Sequence, residues 1–281
     1  MVTARLLLSV ALLSGADESQ EPKPTDEAVQ RERDKQSAER VLALAKKYEF
    51  FVEMPERREL ELHAKPVLTY SNPIRGEVYG NVFVWTLDGR PELLGAVFDF
   101  RNEDKFDSEL HMLSRSGICG SREGREFWRP ERPTVEFSNV PDGPVPAANP
   151  AARLRQMREI ARAITVERNH PEQGKGEMRL LTQPLYRYQS TQVGVIDGGL
   201  FVFAEGTDPE AFLLLEATNG GRAEPTWKFA FARMNIVEFR AQYHGAEIWH
   251  VASVSWDNVF DKQEAYAIIR EKPSRGLVRS K

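Results

Sequence analysis

Apolar residues recur along this chain with two periods, and the changes between them mark its elements. From Thr25 the pattern is helical: Thr25 is placed as a cap, Asp26 and Glu27 fill the first turn, and Val41, Leu44, Ala45, Tyr48, Phe51 and Val52 form an i, i+3, i+4 stripe. After Glu59 the period falls to two. Leu60, Leu62 and Ala64 alternate with polar neighbours, and residues 67–70 lead to the turn Ser71-Asn72-Pro73. Residues 77–85 are apolar on both faces, with Val78, Gly80, Val82 and Val84 on one and Tyr79, Phe83 and Trp85 on the other, which predicts a central strand covered on both sides. Leu87-Asp88-Gly89 signals a hairpin whose return is residues 93–100; residues 101–106 read as a charged turn, and 108–114, 124–128 and 134–137 as further strands. Gly117-Ile-Cys-Gly120 reads as a turn.

Residues 139–148, with three prolines and a glycine, predict an extended linker. Asn149 and Pro150 then open a second helix, with Leu154, Met157, Ile160, Ala161 and Ile164 on its inner face and an end before His170-Pro171. Strands are expected at 180–188, 194–203, 212–217, 226–233 and 245–249, and residues 264–270 read as a helix or a closing strand, with the alternation at Tyr266 and Ile268 favouring the strand.

The second series echoes the first. At an offset of 118, residues 66–97 fall on 184–215 with eight identities, among them Tyr70/Tyr188, Gly80/Gly198, Phe83/Phe201 and Glu92/Glu210. Composition alone gives roughly two. Gly245-Ala-Glu-Ile-Trp249 repeats Gly124-Arg-Glu-Phe-Trp128 at an offset of 121, which implies a three-residue insertion, while Arg233 matches Arg115 at 118. The expected fold class is α+β: two repeated units, residues 25–138 and 149–271, each one helix packed on a curved antiparallel meander of about five or six strands.

Composition narrows the function classes. The chain has 281 residues and a formal charge of -4, without the basic excess that a nucleic-acid partner requires. Arg5, the apolar run 6–13 and Ser14-Gly15-Ala16 form a short signal-peptide pattern, too short for a membrane span. It implies export, removal of residues 1–16 and a flexible leader at 17–24. Residues 272–281 read as a basic tail. The single cysteine, Cys119, admits neither an internal disulfide nor a cysteine metal cluster.

Nothing in the chain matches a catalytic, cofactor-binding or metal-binding motif, and its five histidines are dispersed. Two constellations are candidates. Tyr186, Arg187 and Tyr188, with Trp85 and Trp128, form an aromatic and cationic set suited to a sugar or peptide. Glu205 and Glu216 flank one hairpin, where a cross-strand carboxylate pair would serve a cell-envelope hydrolase. Trp128 and Trp249 read as core anchors of the two units.

The segments Gly76-Glu-Val-Tyr-Gly80 through Trp85, residues 149–157, Gln183-Pro-Leu-Tyr-Arg-Tyr188, Gly206-Thr-Asp-Pro-Glu210 and Ala232-Arg-Met-Asn235 resemble a family of uncharacterised exported proteins of planctomycete bacteria. That resemblance implies export and transfers no activity. The resulting expectation is a periplasmic or extracellular, non-catalytic module that binds an unknown ligand or protein partner, with the hydrolase as the alternative.

Overall fold

A computed structural model describes residues 25–53, 55–72, 77–103, 105–219 and 224–270. The expected signal peptide and leader, Pro73, Gly76, the Gly220-Gly221 turn and the basic tail lie outside the described residues. Helix α1 (Asp26–Ala45) starts where Thr25 accepts a hydrogen bond from the Ala28 amide, and buries only Ser37, Val41 and Ala45, so its charged first half stays in solvent. The helical stripe stops short of its expected end at Val52. Lys46 and Lys47 donate back to Leu42 and Leu44, and the aromatic and β-branched run that follows becomes strand β1 (Tyr48–Val52), with Tyr48, Phe50 and Val52 turned inward. Helix α2 (Pro150–Arg162) has the expected cap, Asn149 accepting from the Ala152 amide at 2.8 Å, but likewise yields early to a strand, β11 (Ile164–His170).

Antiparallel sheet surrounds these two helices. In the first half follow β2 (Arg58–Glu59), β3 (Glu61–Leu62), β4 (Leu68–Asn72), β5 (Val78–Leu87), β6 (Arg90–Phe100), β7 (Lys105–Met112), β8 (Ile118–Arg122), β9 (Arg125–Trp128) and β10 (Ser138–Asn139). After α2 and β11 come β12 (Gly174–Glu177), β13 (Arg179–Ser190), β14 (Val195–Glu205), β15 (Asp208–Thr218), β16 (Thr226–Arg233), β17 (Glu238–Tyr243), β18 (Ala246–Val251) and β19 (Tyr266–Arg270). The fold is a mixed α+β one.

Three expectations need correction. The strands of each half do not form one meander: β2-β1-β8-β9 and β12-β11-β17-β18 are small sheets separate from the large ones. The expected turn around Cys119 is strand β8, because Ile118, Cys119 and Gly120 pair with Val52, Phe51 and Phe50. Residues 134–137 are not a strand; the chain pairs at β10 instead, and does so with β16 of the second half.

The large sheets run β19-β7-β6-β5-β3, with β4 also on β5, and β10-β16-β15-β14-β13. Each half therefore ends by placing an edge strand on the other half's large sheet. Their inner faces share one core, in which Val82, Val84, Leu94 and Ala96 pack with Leu200, Val202, Phe212, Leu214 and Tyr266. Period-two alternation sends the other face of each strand the opposite way. Phe83, Trp85 and Leu93 pack with Phe50, Trp128 and α1, while Phe201, Phe203 and Leu213 pack with Val166, Phe239 and α2. The layers thus run small sheet with helix, large sheet, large sheet, small sheet with helix.

Strand register tests the sequence offsets. Gly80 lies opposite Tyr70 and Phe98, and Gly198 opposite Tyr188 and Glu216; Phe83 lies opposite Gly95 and Phe201 opposite Leu213. All of these hold the 118 offset. Past the next turn the offset is 121: Leu93 lies opposite Met112 and Ala211 opposite Arg233. In strand register Arg233 corresponds to Met112 and not to Arg115.

Candidate ligand site

Of the residues singled out from the sequence, Tyr188 meets Tyr186 and Glu216, and the others separate. Trp85 is 1% exposed and meets Phe50 edge-on at 5.0 Å, so it is a core residue and not a surface one. Tyr186 donates its hydroxyl to the Gly89 carbonyl at 3.0 Å, joining the two large hairpins. Arg187 donates to both oxygens of Asp197, which also accepts from Arg153 on α2, so this arginine braces the helix against the sheet. These hydrogen bonds to Asp197 hold the Arg187 guanidinium above its ordinary pKa.

Glu205 stands opposite Asp208 at the hairpin turn and pairs with Arg168, whereas Glu216 stands opposite Gly198, seven residues back along β14. At roughly 3.3 Å per residue the two carboxylates are on the order of 20 Å apart along the ladder. The expected carboxylate pair does not exist, and the hydrolase reading loses its basis. Glu216 instead joins a buried group, accepting from Tyr188 at 3.0 Å and from Arg90 at 2.8 Å, while Arg90 also donates to Glu92 at 2.7 Å. Burial, and after it Glu216, keeps the Tyr188 phenol well above its usual pKa, so this hydroxyl is a donor at any physiological pH.

A different set of side chains does converge. Where β7, β16, β18 and β19 meet, a cavity of about 280 Å³ is lined by His111, Thr134, Arg233, Trp249 and Tyr266, with Ser253, Ser255, Asn258 and Glu264 toward its rim. Pairing of β19 with β7 sets Tyr266 opposite His111, their rings 5.8 Å apart. The His111 Nδ1 lies 2.7 Å from the Arg233 carbonyl, and Nε2 lies 3.2 Å from the Thr134 hydroxyl. A carbonyl only accepts, so Nδ1 carries the proton and Nε2 accepts from Thr134. Burial, reinforced by the Arg233 charge, drives the His111 pKa down to about 4, and the ring is neutral.

Arg233 is buried, and its charge meets backbone rather than a paired acid. Nε donates to Asn235 O at 2.8 Å, Nη1 to Ala252 O at 2.7 Å, and Nη2 to Val237 O. Burial lowers its pKa to about 10, which still leaves it charged at neutral pH. Its role is to tie segments 235–237 and 252 into the frame of the cavity. Trp249 is half-buried and lies parallel on Phe231 at 4.8 Å. Trp128, at the corresponding place in the first half, is buried and donates to the Glu264 carbonyl. Both tryptophans pack on a core as expected, Trp128 fully buried and Trp249 half-buried against Phe231 and Phe239, and Trp249 also lines the cavity.

Comparison with protein-family models, with curated proteins and with solved structures found no match. Among the described residues no group of three or more histidine, cysteine or acidic side chains is placed to share a metal, and no helix is long and apolar enough to cross a membrane. The chemistry that the cavity offers is a flat indole wall, neutral donors and acceptors, and a fixed frame. It suits a small ring whose face stacks and whose edge carries hydroxyls. His111, Arg233 and Trp249 all stood in the sequence, but nothing local announced that residues 266–270 would close a wall over His111.

Proposed function

We propose that this chain is an exported, non-catalytic binding module built from a duplicated α+β unit, and that its ligand is a sugar or similar polyhydroxylated ring held in the cavity between His111, Trp249 and Tyr266. Duplication is supported by the shared register at offsets 118 and 121 and by the like strand orders of the paired sheets. Export rests on the pattern of residues 1–16, as does the likeness to exported planctomycete proteins on the segments quoted for it. The observation that carries the ligand reading is the half-buried Trp249 ring, lining a cavity with Ser253, Ser255, Asn258 and Glu264 at its polar edge.

At about 280 Å³ the cavity lies near the lower end of the roughly 300–1,000 Å³ typical of small-molecule sites. A ligand of one or two rings fits it. Arg233 positions the frame and His111 orients Thr134; neither needs to change its protonation state for binding.

The test is a titration of residues 17–281 with glucose, galactose, N-acetylglucosamine and their disaccharides, followed by tryptophan fluorescence and thermal shift. A member of this panel shifts both signals in the wild type. Trp249→Phe, which keeps the packing on Phe231, reduces the fluorescence change, and Trp249→Ala weakens binding about tenfold, equivalent to about 1.4 kcal/mol. Absence of any response across the panel, or an unchanged Kd in Trp249→Ala, overturns the reading.

A further inference from the structure

The Trp249 cavity does not end at its rim. Ser253, Val254 and Ser255 also line a wider cleft of about 560 Å³, bordered on its far side by His170, Glu172, Ile236 and Trp256. Ser253 and Ser255 are exposed, so the strip of chain common to both clefts lies at the surface, where a ligand can cross it. That strip is held in place. The Val254 amide donates to the Ile236 carbonyl at 2.7 Å, and Arg233, a wall of the cavity, donates to the Ala252 carbonyl at 2.7 Å.

Just beyond it the Asn258 and Val259 amides both donate to the Ser255 carbonyl, and Val259 is fully buried in the shared core. This anchored turn leaves Trp256 58% exposed, the one exposed aromatic ring among the described residues. Its indole lies nearly parallel to Phe260, with 5.9 Å between centroids and 24° between planes. Phe260 in turn packs on the shared core and has the Arg270 guanidinium 4.2 Å over its ring. Trp256 is thus a backed, fixed platform. A single exposed apolar residue is ordinary on a protein surface; what distinguishes this one is that it lines a cleft sharing a wall with the Trp249 cavity.

The groups around the platform set the chemistry of its occupant. His170 Nδ1 accepts from the Glu172 and Gln173 amides at 3.1 and 3.3 Å, so Nε2 carries the proton and is a donor. Two serines, this N–H and the Glu172 carboxylate interrupt the apolar surface, which an apolar partner would need to be continuous. A chain of sugar rings needs what is present: flat faces at intervals, with hydrogen-bonding groups between them. Trp249 and Trp256 are seven residues apart in the chain. Their backbones are therefore separated by at most about 25 Å, within reach of a hexasaccharide.

We propose that the ligand of this protein is an oligosaccharide, with one or two rings in the Trp249 cavity and the following rings running over Ser253 and Ser255 onto Trp256. This rests on the reading of the Trp249 cavity as a sugar site and extends it from a ring to a chain.

The probes are cellobiose and cellohexaose, chitobiose and chitohexaose, and maltose and maltohexaose, titrated calorimetrically into the full chain. In the responding series the hexasaccharide binds more tightly than the disaccharide. A longer chain also offers more binding registers, so the deciding comparison is Trp256→Ala, which keeps the registers and removes the platform. This substitution weakens hexasaccharide binding by roughly three- to tenfold, the worth of one stacked ring, and leaves the disaccharide Kd unchanged, which also shows that the variant is folded. Trp249→Ala weakens both lengths. Full hexasaccharide affinity in Trp256→Ala, or a hexasaccharide that binds no more tightly than its disaccharide, overturns the chain proposal and leaves the Trp249 site standing. Binding of neither length in any series overturns both. Dimerisation in analytical ultracentrifugation that Trp256→Ala abolishes assigns the indole to a second copy of the chain and likewise overturns the proposal.

Discussion

Replacing Gly198 with alanine tests whether the paired tyrosine and glycine positions hold the two large sheets as described. A Cβ added at Gly198 would lie 2.4 Å from Tyr188 Cε2 and 2.5 Å from Cζ, against about 3.5–4.0 Å for an ordinary carbon contact. The ring must therefore retreat by more than about 1 Å. It has nowhere to go: Tyr188 is 4% exposed, stacks on Tyr186 at 5.9 Å, and is tethered through its hydroxyl to Glu216, which Arg90 also holds. Gly198 is not among the glycines at positive φ, so alanine introduces no backbone strain and the cost is steric. Overpacking of this kind costs roughly 1–3 kcal/mol, and the upper end applies because retreat also pulls the hydroxyl from Glu216.

The control is the same substitution after the ring is removed. Tyr188→Ala alone costs about 3–5 kcal/mol as a large-to-small core change. In that background Gly198→Ala meets no ring, and restriction of the unfolded chain makes it neutral or stabilising by up to about 1 kcal/mol. The cycle, read by urea unfolding with an unchanged m-value, yields a coupling of about 2–3 kcal/mol. Additive effects, or a Gly198→Ala protein within 0.5 kcal/mol of wild type (a margin of about the usual error of such cycles), would refute the packing argument. Gly80→Ala meets the same obstacle, with Tyr70 Cζ at 2.3 Å, and belongs in the same series.

Two further expectations concern the Trp249 cavity and the exchanged strand. His111 is held neutral with a pKa of about 4 in the folded protein, against an ordinary value near 6.5, so between these limits the unfolded chain binds more protons than the native one. Stability therefore falls as pH drops from about 6.5 toward 4, by up to about 3 kcal/mol, and His111→Gln flattens that part of a pH series of urea midpoints. A slope that persists unchanged in His111→Gln assigns the effect to other groups. Ending the chain after residue 264 removes β19 and uncovers the β7 edge together with the partners of buried Tyr266, Ala267 and Ile268. At about 1.5–3 kcal/mol for each large side chain, the loss exceeds 3 kcal/mol, and broadened thermal unfolding with dye binding to exposed apolar surface is expected. A truncated protein that melts as the full chain does would show that β19 contributes no stability.

Local patterns carried much of the secondary structure. The double-faced stretches around Val84 and Val202 became central strands, Thr25 and Asn149 capped the helices, and the Gly-x-Glu-x-Trp repeats both fell on strands. Where a helical stripe ran into a β-prone segment, at Tyr48 and at Ile164, periodicity misplaced the boundary, because apolar spacings of three and four residues are compatible with either element over so short a window. The Arg233 match misled for a related reason: the connection between β15 and β16 is three residues longer than that between β6 and β7, so a fixed offset no longer aligns the strands beyond it.

The candidate sites belong to another level. Alternation determines which faces of a strand are apolar, and turn residues determine where the strand ends; both are properties of neighbouring residues. Which strand lies beside which is decided by packing of the whole chain, and here each half sends its last strand across to the other. His111 meets the Arg233 carbonyl over a separation of 122 residues, and Arg90 meets Glu216 over 126. Such pairs leave no local mark, because the free energy that selects them comes from burying two large sheets against each other, and only after that burial do an exposed-looking arginine and a scattered histidine acquire a cavity to line.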